Sequence, residues 1–124
     1  MTRAGPQSMH FGPGAPLRGT AWVPGDKSIS HRALMLASLA VGRSRIEGLS
    51  PGEDVAATAA ALRAMGAVIE PAGAEAVVDG VGVGALLQPA GAIDLGNSAT
   101  SARLLMGLVA SHPLTVTFTG DASL

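Results

Sequence analysis

The stretch Leu17–Gly42, LRGTAWVPGDKSISHRALMLASLAVG, decides the fold class, because it reads as strand, turn and helix in immediate succession. Leu17 to Val23 reads as a short strand, stopped by the turn signal Pro24-Gly25-Asp26. From about Ser28 to Ala40 the pattern becomes helical. Ile29, Ala33, Leu36 and Ala40 fall on one apolar stripe at a spacing of three to four, and Gly42 sits where a C-terminal cap belongs.

Working downstream, Ser44 to Leu49 reads as a strand with a β-branched centre at Ile46. A second helix starts near Ser50-Pro51-Gly52-Glu53, where a serine with a glutamate three residues on predicts a capping box. Val55, Ala59, Leu62 and Met65 make its apolar face and Gly66 ends it. Val68 to Glu70 and Ala76 to Asp79 read as two strands around a Pro71-Ala72-Gly73 turn. Ile93 to Leu95 is a strand leading into Gly96-Asn97-Ser98, followed by a helix over Ala99 to Ala110 and a β-branched strand over Thr115 to Thr119. The order begins to repeat at about seventy residues, Ser28 against Ser98, as a duplicated unit would. Helices alternating with strands mean an α/β architecture. Upstream, residues 1–16 carry Gly5-Pro6, Gly12-Pro13-Gly14 and Pro16 and read as a flexible leader before a domain over 17–124.

Composition narrows the function classes. With 124 residues, 48% hydrophobic and 14% charged, the chain has material for about one domain with a packed core. Eight basic against nine acidic residues leave no electrostatic footprint for nucleic acid or an anionic membrane. The absence of cysteine excludes disulfides, a thiol nucleophile and thiolate metal sites, and His10, His31 and His112 are too scattered for a zinc motif. One tryptophan, two phenylalanines and no tyrosine mean a core of Ala, Leu, Val, Ile and Met. Alanine-rich helices with so little bulk must approach their neighbours closely. No signal or transit segment is visible, and Ala33 to Val41 is far short of the ~20 residues of a membrane span, so an intracellular, cytoplasmic protein is expected.

Two turns could carry chemistry. In Pro24-Gly25-Asp26-Lys27-Ser28-Ile29-Ser30-His31-Arg32 a helix N-terminus, which attracts anions, is joined by a lysine, a hydroxyl and an arginine one turn on. A point charge, a hydroxyl and a guanidinium fork suit a phosphate or carboxylate. The plainer reading is a helix cap with two solvated basic residues. Leu95-Gly96-Asn97-Ser98-Ala99-Thr100-Ser101-Ala102-Arg103 repeats the geometry, with Asn97 or Ser98 as the plain N-cap. Two such starts suggest a ligand, or a pair, with two anionic groups. Gly80-Val81-Gly82-Val83-Gly84-Ala85 fits a loose dinucleotide pattern, but Leu86-Leu87-Gln88-Pro89 leaves no room for the helix and no acidic residue stands about twenty positions on, so it reads as a turn between strands. His31 reads as a helix-surface residue and His112 as a loop residue. Asp54 is most simply a carboxylate favoured by a helix start, with pairing to Lys27 as the alternative.

Val23 to Ala33 resembles the first signature of the 5-enolpyruvylshikimate-3-phosphate synthase family. Gly52-Glu53-Asp54-Val55, Met65-Gly66-Ala67, Gly96-Asn97-Ser98-Ala99-Thr100 with Arg103, and Thr119-Gly120-Asp121-Ala122-Ser123-Leu124 continue the match in order. The resemblance implies two domains of repeated βαβαββ units in an inside-out α/β barrel, incomplete here. It implies transfer of the enolpyruvyl group of phosphoenolpyruvate to the 5-hydroxyl of shikimate 3-phosphate, releasing phosphate, with no metal or organic cofactor and a monomer at full length. Lys27 would contact both substrates and be catalytic, Ser28 and Arg32 would hold shikimate 3-phosphate, and Ala99 would line the phosphoenolpyruvate site beside Asn97 and Arg103. The family usually has glycine at the position of Ala99, so its methyl implies the glyphosate-insensitive type. The implied acid/base carboxylates, further arginines and a lysine lie beyond Leu124, so the chain reads as an N-terminal piece needing its C-terminal remainder. Two alternatives stand: a non-catalytic fragment or split subunit, and the related UDP-N-acetylglucosamine enolpyruvyl transferase, which has lysine followed by asparagine where Lys27-Ser28 stands here.

Overall fold

A computed structural model describes residues 8–124. The Gly5-Pro6 part of the expected leader lies outside the described residues, and residues 8–16 are exposed without helix or strand. Three helices and five strands follow, in the order α1 (Lys27–Leu39), β1 (Val41–Glu47), α2 (Glu53–Ala64), β2 (Val68–Ala72), β3 (Glu75–Val81), β4 (Ile93–Asp94), α3 (Ala99–Val109) and β5 (Phe118–Thr119). The expected α/β alternation is therefore present.

The first sheet has the order β1-β3-β2 and is antiparallel throughout, with Arg43 opposite Asp79 and Ile69 opposite Val78. Its two faces follow the period of two that a pleated strand imposes. Ile69, Ala76 and Val78 face the helices and are buried. Arg43, Arg45, Glu47, Glu75 and Asp79 stand on the solvent face, where Arg43 makes a bidentate pair with Asp79 and Arg45 pairs with Glu75 and Glu47. These pairs raise the Arg43 pKa and hold the Asp79 carboxyl below its ordinary value, chiefly through their hydrogen bonds. The second sheet is a single parallel pair, β4 with β5, joined by α3 as a βαβ crossover.

Leu34, Leu62, Met65, Val78, Leu95 and Leu105 are fully buried and form the centre of one aliphatic core, as composition required. Close approach by the alanine-rich helices is real. A Cβ added at Gly80 in β3 would run into the carbonyl oxygens of Ala37 and Ala40, so the end of α1 rests on bare strand backbone.

Four expectations need correction. Residues 17–23 form no strand, and Leu17, Trp22 and Val23 are exposed, because a strand exists only by pairing and no described strand lies alongside. The Thr115–Thr119 strand shrinks to Phe118–Thr119, since its partner β4 has two residues and the Thr115 N–H bonds instead to Gln88 Oε1. The capping box at Ser50 and Glu53 is not formed. Gly52 is the N-cap of α2 without a side-chain bond, and the Ser50 N–H is held by Ser30 Oγ at 2.9 Å. Lastly, the apolar stripe of α1 is displaced. Ile29 and Leu36 are each 69% exposed, whereas Ser30, His31, Leu34, Met35, Ala37 and Ser38 are buried. The buried face carries three polar residues, which a stripe drawn through apolar residues alone passes by.

Candidate functional site

α1 begins after Asp26, whose Oδ1 accepts from the Ile29 N–H at 2.8 Å as N-cap. The first intrahelical bond is Ser30 N–H to Asp26 O, so the N–H groups of Lys27 and Ser28 have no helical acceptor and face the turn. Gly25 makes this turn compact. A Cβ there would overlap the carbonyl oxygen of Gly48, so the 48–50 loop lies directly against the Pro24-Gly25-Asp26 backbone. Ser30 Oγ locks the two together, donating to Asp26 O at 2.8 Å and accepting from the Ser50 N–H. That docking carries the start of α2 up to the start of α1.

The consequence is an ion pair. Lys27 Nζ lies 2.9 Å from Asp54 Oδ2, with the two side chains 51% and 22% exposed. Of the two readings of Asp54, the pairing with Lys27 is the one observed. A partly exposed pair of this kind is worth at most about 1 kcal/mol of stability. Its larger effect is to hold the ammonium at the helix start. Lys27 and Ser28 are both exposed there, and the Arg32 guanidinium folds back along α1, donating through Nη1 to Ser28 O at 2.9 Å.

The second turn is built alike. Gly96 takes a φ of +57°, a left-handed conformation that suits glycine, and its N–H bonds to Asp94 Oδ1. Ser98, not Asn97, is the N-cap of α3, accepting from the Ser101 N–H at 3.2 Å. Ala102 N–H to Ser98 O is the first helical bond, which leaves the Thr100 N–H without a helical acceptor. Ala99 is the first residue of α3 and is exposed, as are Asn97 and Arg103. Gly120 packs against Gly96 O, and the Asp121 N–H donates to that oxygen at 2.9 Å. Hydrogen bonds from Ser123 hold the Asp121 carboxyl below the usual carboxylate range.

A cleft of about 160 Å³ lies between the start of α2 and the second turn, lined by Glu53, Asp54, Leu95, Gly96, Asn97 and Asp121, with Lys27 and Ser28 outside its lining. It brings Asn97 beside Asp54, and through Asp54 beside Lys27. Three carboxylates make the cleft itself unsuited to an anion, which leaves the exposed helix starts as the candidate anion-binding positions. Ala99, Arg32 and Arg103 do not line it. A larger hollow of about 370 Å³ opens among Leu34, Leu49, Val55, Ile69 and Ala76, and its charged side chains are already engaged, Arg63 with Ile69 O and Glu75 with Arg45.

His31 departs from the expected helix-surface position, while His112 is the loop residue expected. His31 is fully buried, its Nδ1 2.8 Å from Thr58 Oγ1, because α2 packs across the face of α1 that carries it. Burial lowers its pKa; Lys27 and Arg32 act in the same direction and the Asp54 charge opposes them. His112 does follow a helix end but is buried, accepting from the Gly84 N–H at 3.1 Å through Nε2 and facing Leu108 O at 3.0 Å through Nδ1. It thereby pins the glycine-rich 80–85 turn, which is followed by no helix that could hold a dinucleotide. Sequence reasoning missed Asp26 as cap and the buried hydroxyls of Thr58 and Ser101. The one available signal was polar residues recurring on otherwise apolar helix faces. Among the described residues there is no group of three or more side chains suited to a metal, and no helix long and apolar enough to cross a membrane.

Residues 12–124 match the family EPSP synthase (3-phosphoshikimate 1-carboxyvinyltransferase). A 3-phosphoshikimate 1-carboxyvinyltransferase of Sphingopyxis alaskensis is 64% identical over 115 residues, covering 92% of this chain and 26% of that protein. One from Zymomonas mobilis is 66% identical over 110 residues, covering 88% and 24%. The solved EPSP synthase from Acinetobacter baumannii superposes with a TM-score of 0.81 at 46% identity, over 86% of this chain and 24% of its own. The chain thus spans about a quarter of the length of the relatives it matches, and its fold is that of enolpyruvate transferases. On this evidence the chain belongs to the EPSP synthase (3-phosphoshikimate 1-carboxyvinyltransferase) family.

Proposed function

We propose that this chain forms one wall of the active site of an enzyme that transfers the enolpyruvyl group of phosphoenolpyruvate to the 5-hydroxyl of shikimate 3-phosphate, with release of phosphate. The observation that carries the reading is the ion pair of Lys27 with Asp54, which holds an ammonium at the start of α1 on a carboxylate that also lines the cleft with Asn97. Residues 17–124 are then the first folding unit and part of the second. Acid and base groups are contributed by the C-terminal remainder, with which the chain acts as a cytoplasmic monomer.

In this reading Lys27 lies between the two substrates and neutralises their phosphate and carboxylate charge, while Ser28 and Arg32 hold shikimate 3-phosphate. Partial positive charge at the α1 and α3 N-termini adds to this without reorganising during reaction. Asn97 and Arg103 stand at the phosphoenolpyruvate side. Every group named is an ammonium, guanidinium, hydroxyl, amide or backbone N–H, so binding and charge stabilisation on this wall require neither metal nor organic cofactor. Lys27-Ser28 in place of lysine followed by asparagine favours the shikimate substrate over a UDP-sugar.

Ala99 refines the proposal. It opens α3 with an exposed methyl, on the turn where phosphoenolpyruvate would approach the backbone. Glyphosate, longer than phosphoenolpyruvate, would meet that methyl first, making the complete enzyme the glyphosate-insensitive type.

The test is complementation. The 124-residue chain alone should release no phosphate from the two substrates above background, and addition of the C-terminal remainder should restore turnover. Missing acid–base groups alone typically cost 10²–10⁴-fold. Turnover by the chain alone, or none by the combined pieces, refutes the reading.

A further inference from the structure

The three helices meet over a band of buried polarity that the substrate-binding residues do not explain. His31, Thr58 and Ser101 are 0% exposed and Ser98 is 1% exposed, beside a core of mainly apolar side chains. They form one continuous hydrogen-bonded chain. His31 Nδ1 lies 2.8 Å from Thr58 Oγ1, Thr58 Oγ1 lies 2.7 Å from Ser101 Oγ, and Ser101 Oγ lies 2.6 Å from Ser98 Oγ. Ser101 Oγ also donates to the backbone oxygen of Asp54 at 3.2 Å.

Proton directions follow from that last bond. A carbonyl oxygen only accepts, so the single Ser101 proton goes to Asp54 O. Ser101 must then accept from both Ser98 and Thr58, and Thr58 accepts from His31. His31 therefore carries a proton on Nδ1, burial lowers its pKa and favours the neutral ring, and its buried Nε2 has no partner among the described residues.

We infer that the chain His31–Thr58–Ser101–Ser98 is a positioning device that sets the spacing between Lys27 at the start of α1 and the Gly96–Ala99 turn at the start of α3. The inference rests on the proposed function above. α2 lies between the other two helices, and six of its twelve residues are alanine. Small side chains make shallow ridges that resist sliding poorly, whereas hydroxyl bonds are directional and fix a register. Thr58 reaches both neighbours from the middle of α2. Asp54 is held twice, its carbonyl by Ser101 and its carboxylate by Lys27. A shift of α3 is thus passed through Asp54 to the Lys27 ammonium.

The experiment uses the complete transferase and steady-state kinetics with both substrates. Thr58→Val is nearly isosteric and removes two links of the chain. It should lower kcat, and kcat/KM for both substrates, by about tenfold, the effect of roughly 1.4 kcal/mol of lost positioning. Thr58→Ser, which restores the hydroxyl, should recover most of the loss. Ser38→Ala, which removes a buried α1 hydroxyl that bonds to nothing among the described residues, should leave the kinetics unchanged. Ser101→Ala carries the same expectation as Thr58→Val and serves if that variant does not fold. Ring ¹⁵N NMR should find His31 protonated on Nδ1 at neutral pH. A lower unfolding midpoint with unchanged kinetics in Thr58→Val and Ser101→Ala would reduce the chain to a structural role and overturn the inference while leaving the function standing. An Nε2-protonated His31 would overturn the wiring. An unmodified enzyme without turnover would refute the functional reading, and the inference with it.

Discussion

Gly25→Ala should be among the most damaging single-methyl changes in this protein, although Gly25 has an ordinary φ and carries no chemistry. An added Cβ would occupy the space of the Gly48 carbonyl oxygen and lie 3.3 Å from the Leu49 carbonyl carbon. Both obstacles are backbone, so no side-chain rotation relieves them. The 48–50 loop must retreat, and the bond from the Ser50 N–H to Ser30 Oγ is lost with it. That bond is worth about 1 kcal/mol, and overpacking a tight site costs about 1–3 kcal/mol, so destabilisation of about 2–4 kcal/mol is expected. The retreating loop also draws Asp54 away from Lys27, so turnover should fall as well. Gly107→Ala is the matched control. Gly107 lies inside α3 with open space where its Cβ would stand, so alanine there should stabilise by about 0.5–1 kcal/mol through helix propensity. Urea unfolding of the complete enzyme and the two variants measures both, with midpoints moving in opposite directions. A Gly25→Ala midpoint equal to that of the unmodified enzyme would refute the backbone-contact argument.

Lys27→Ala and Arg32→Ala should each weaken binding of phosphorylated substrate by about 1.5–3 kcal/mol, or roughly ten- to a hundredfold in KM, with Lys27→Ala also lowering kcat; unchanged constants would remove both assigned roles. Ala99→Gly should lower the glyphosate inhibition constant by about one to two orders of magnitude while phosphoenolpyruvate affinity changes little, and equal inhibition of the two proteins would end the steric account. Because His31 titrates below its ordinary 6.5 when folded, the unfolded chain binds the extra proton first as pH falls. Its stabilising contribution is therefore complete above about pH 6.5 and is lost as pH drops through the lowered folded value. Unfolding midpoints measured between pH 8 and 5 should show this loss, and His31→Gln should flatten it; identical slopes would sink the assignment.

Much of this molecule is legible without coordinates wherever structure is local. The three helices begin and end within about two residues of where caps, glycines and apolar spacing put them. Helix signals lie within a few residues of the backbone they organise, which is why they survive in a bare sequence. The same holds for the two exposed turns with Lys27, Ser28, Asn97 and Ala99, since a helix start is set by its neighbours in the chain. What fails is what depends on a distant partner. Residues 17–23 have the composition of a strand but no strand beside them among the described residues, and Thr115 gives its N–H to Gln88 rather than to β4.

The buried face of α1 was hidden for the same reason. Ser30 and His31 count as outward residues until the Ser50 N–H and Thr58 Oγ1, twenty and twenty-seven positions away, satisfy them. Gly25 and Gly80 both read as generic turn glycines, yet each is required by a backbone that passes over it. Asp54 stood between two readings, and only the docking of the 48–50 loop on Gly25 chose the pair with Lys27. Local propensity thus determined which elements exist and which residues they expose at their ends. Tertiary packing decided which faces turn inward, which polar groups are satisfied, and how far apart the two helix starts stand, because each of those depends on atoms brought together only by the fold.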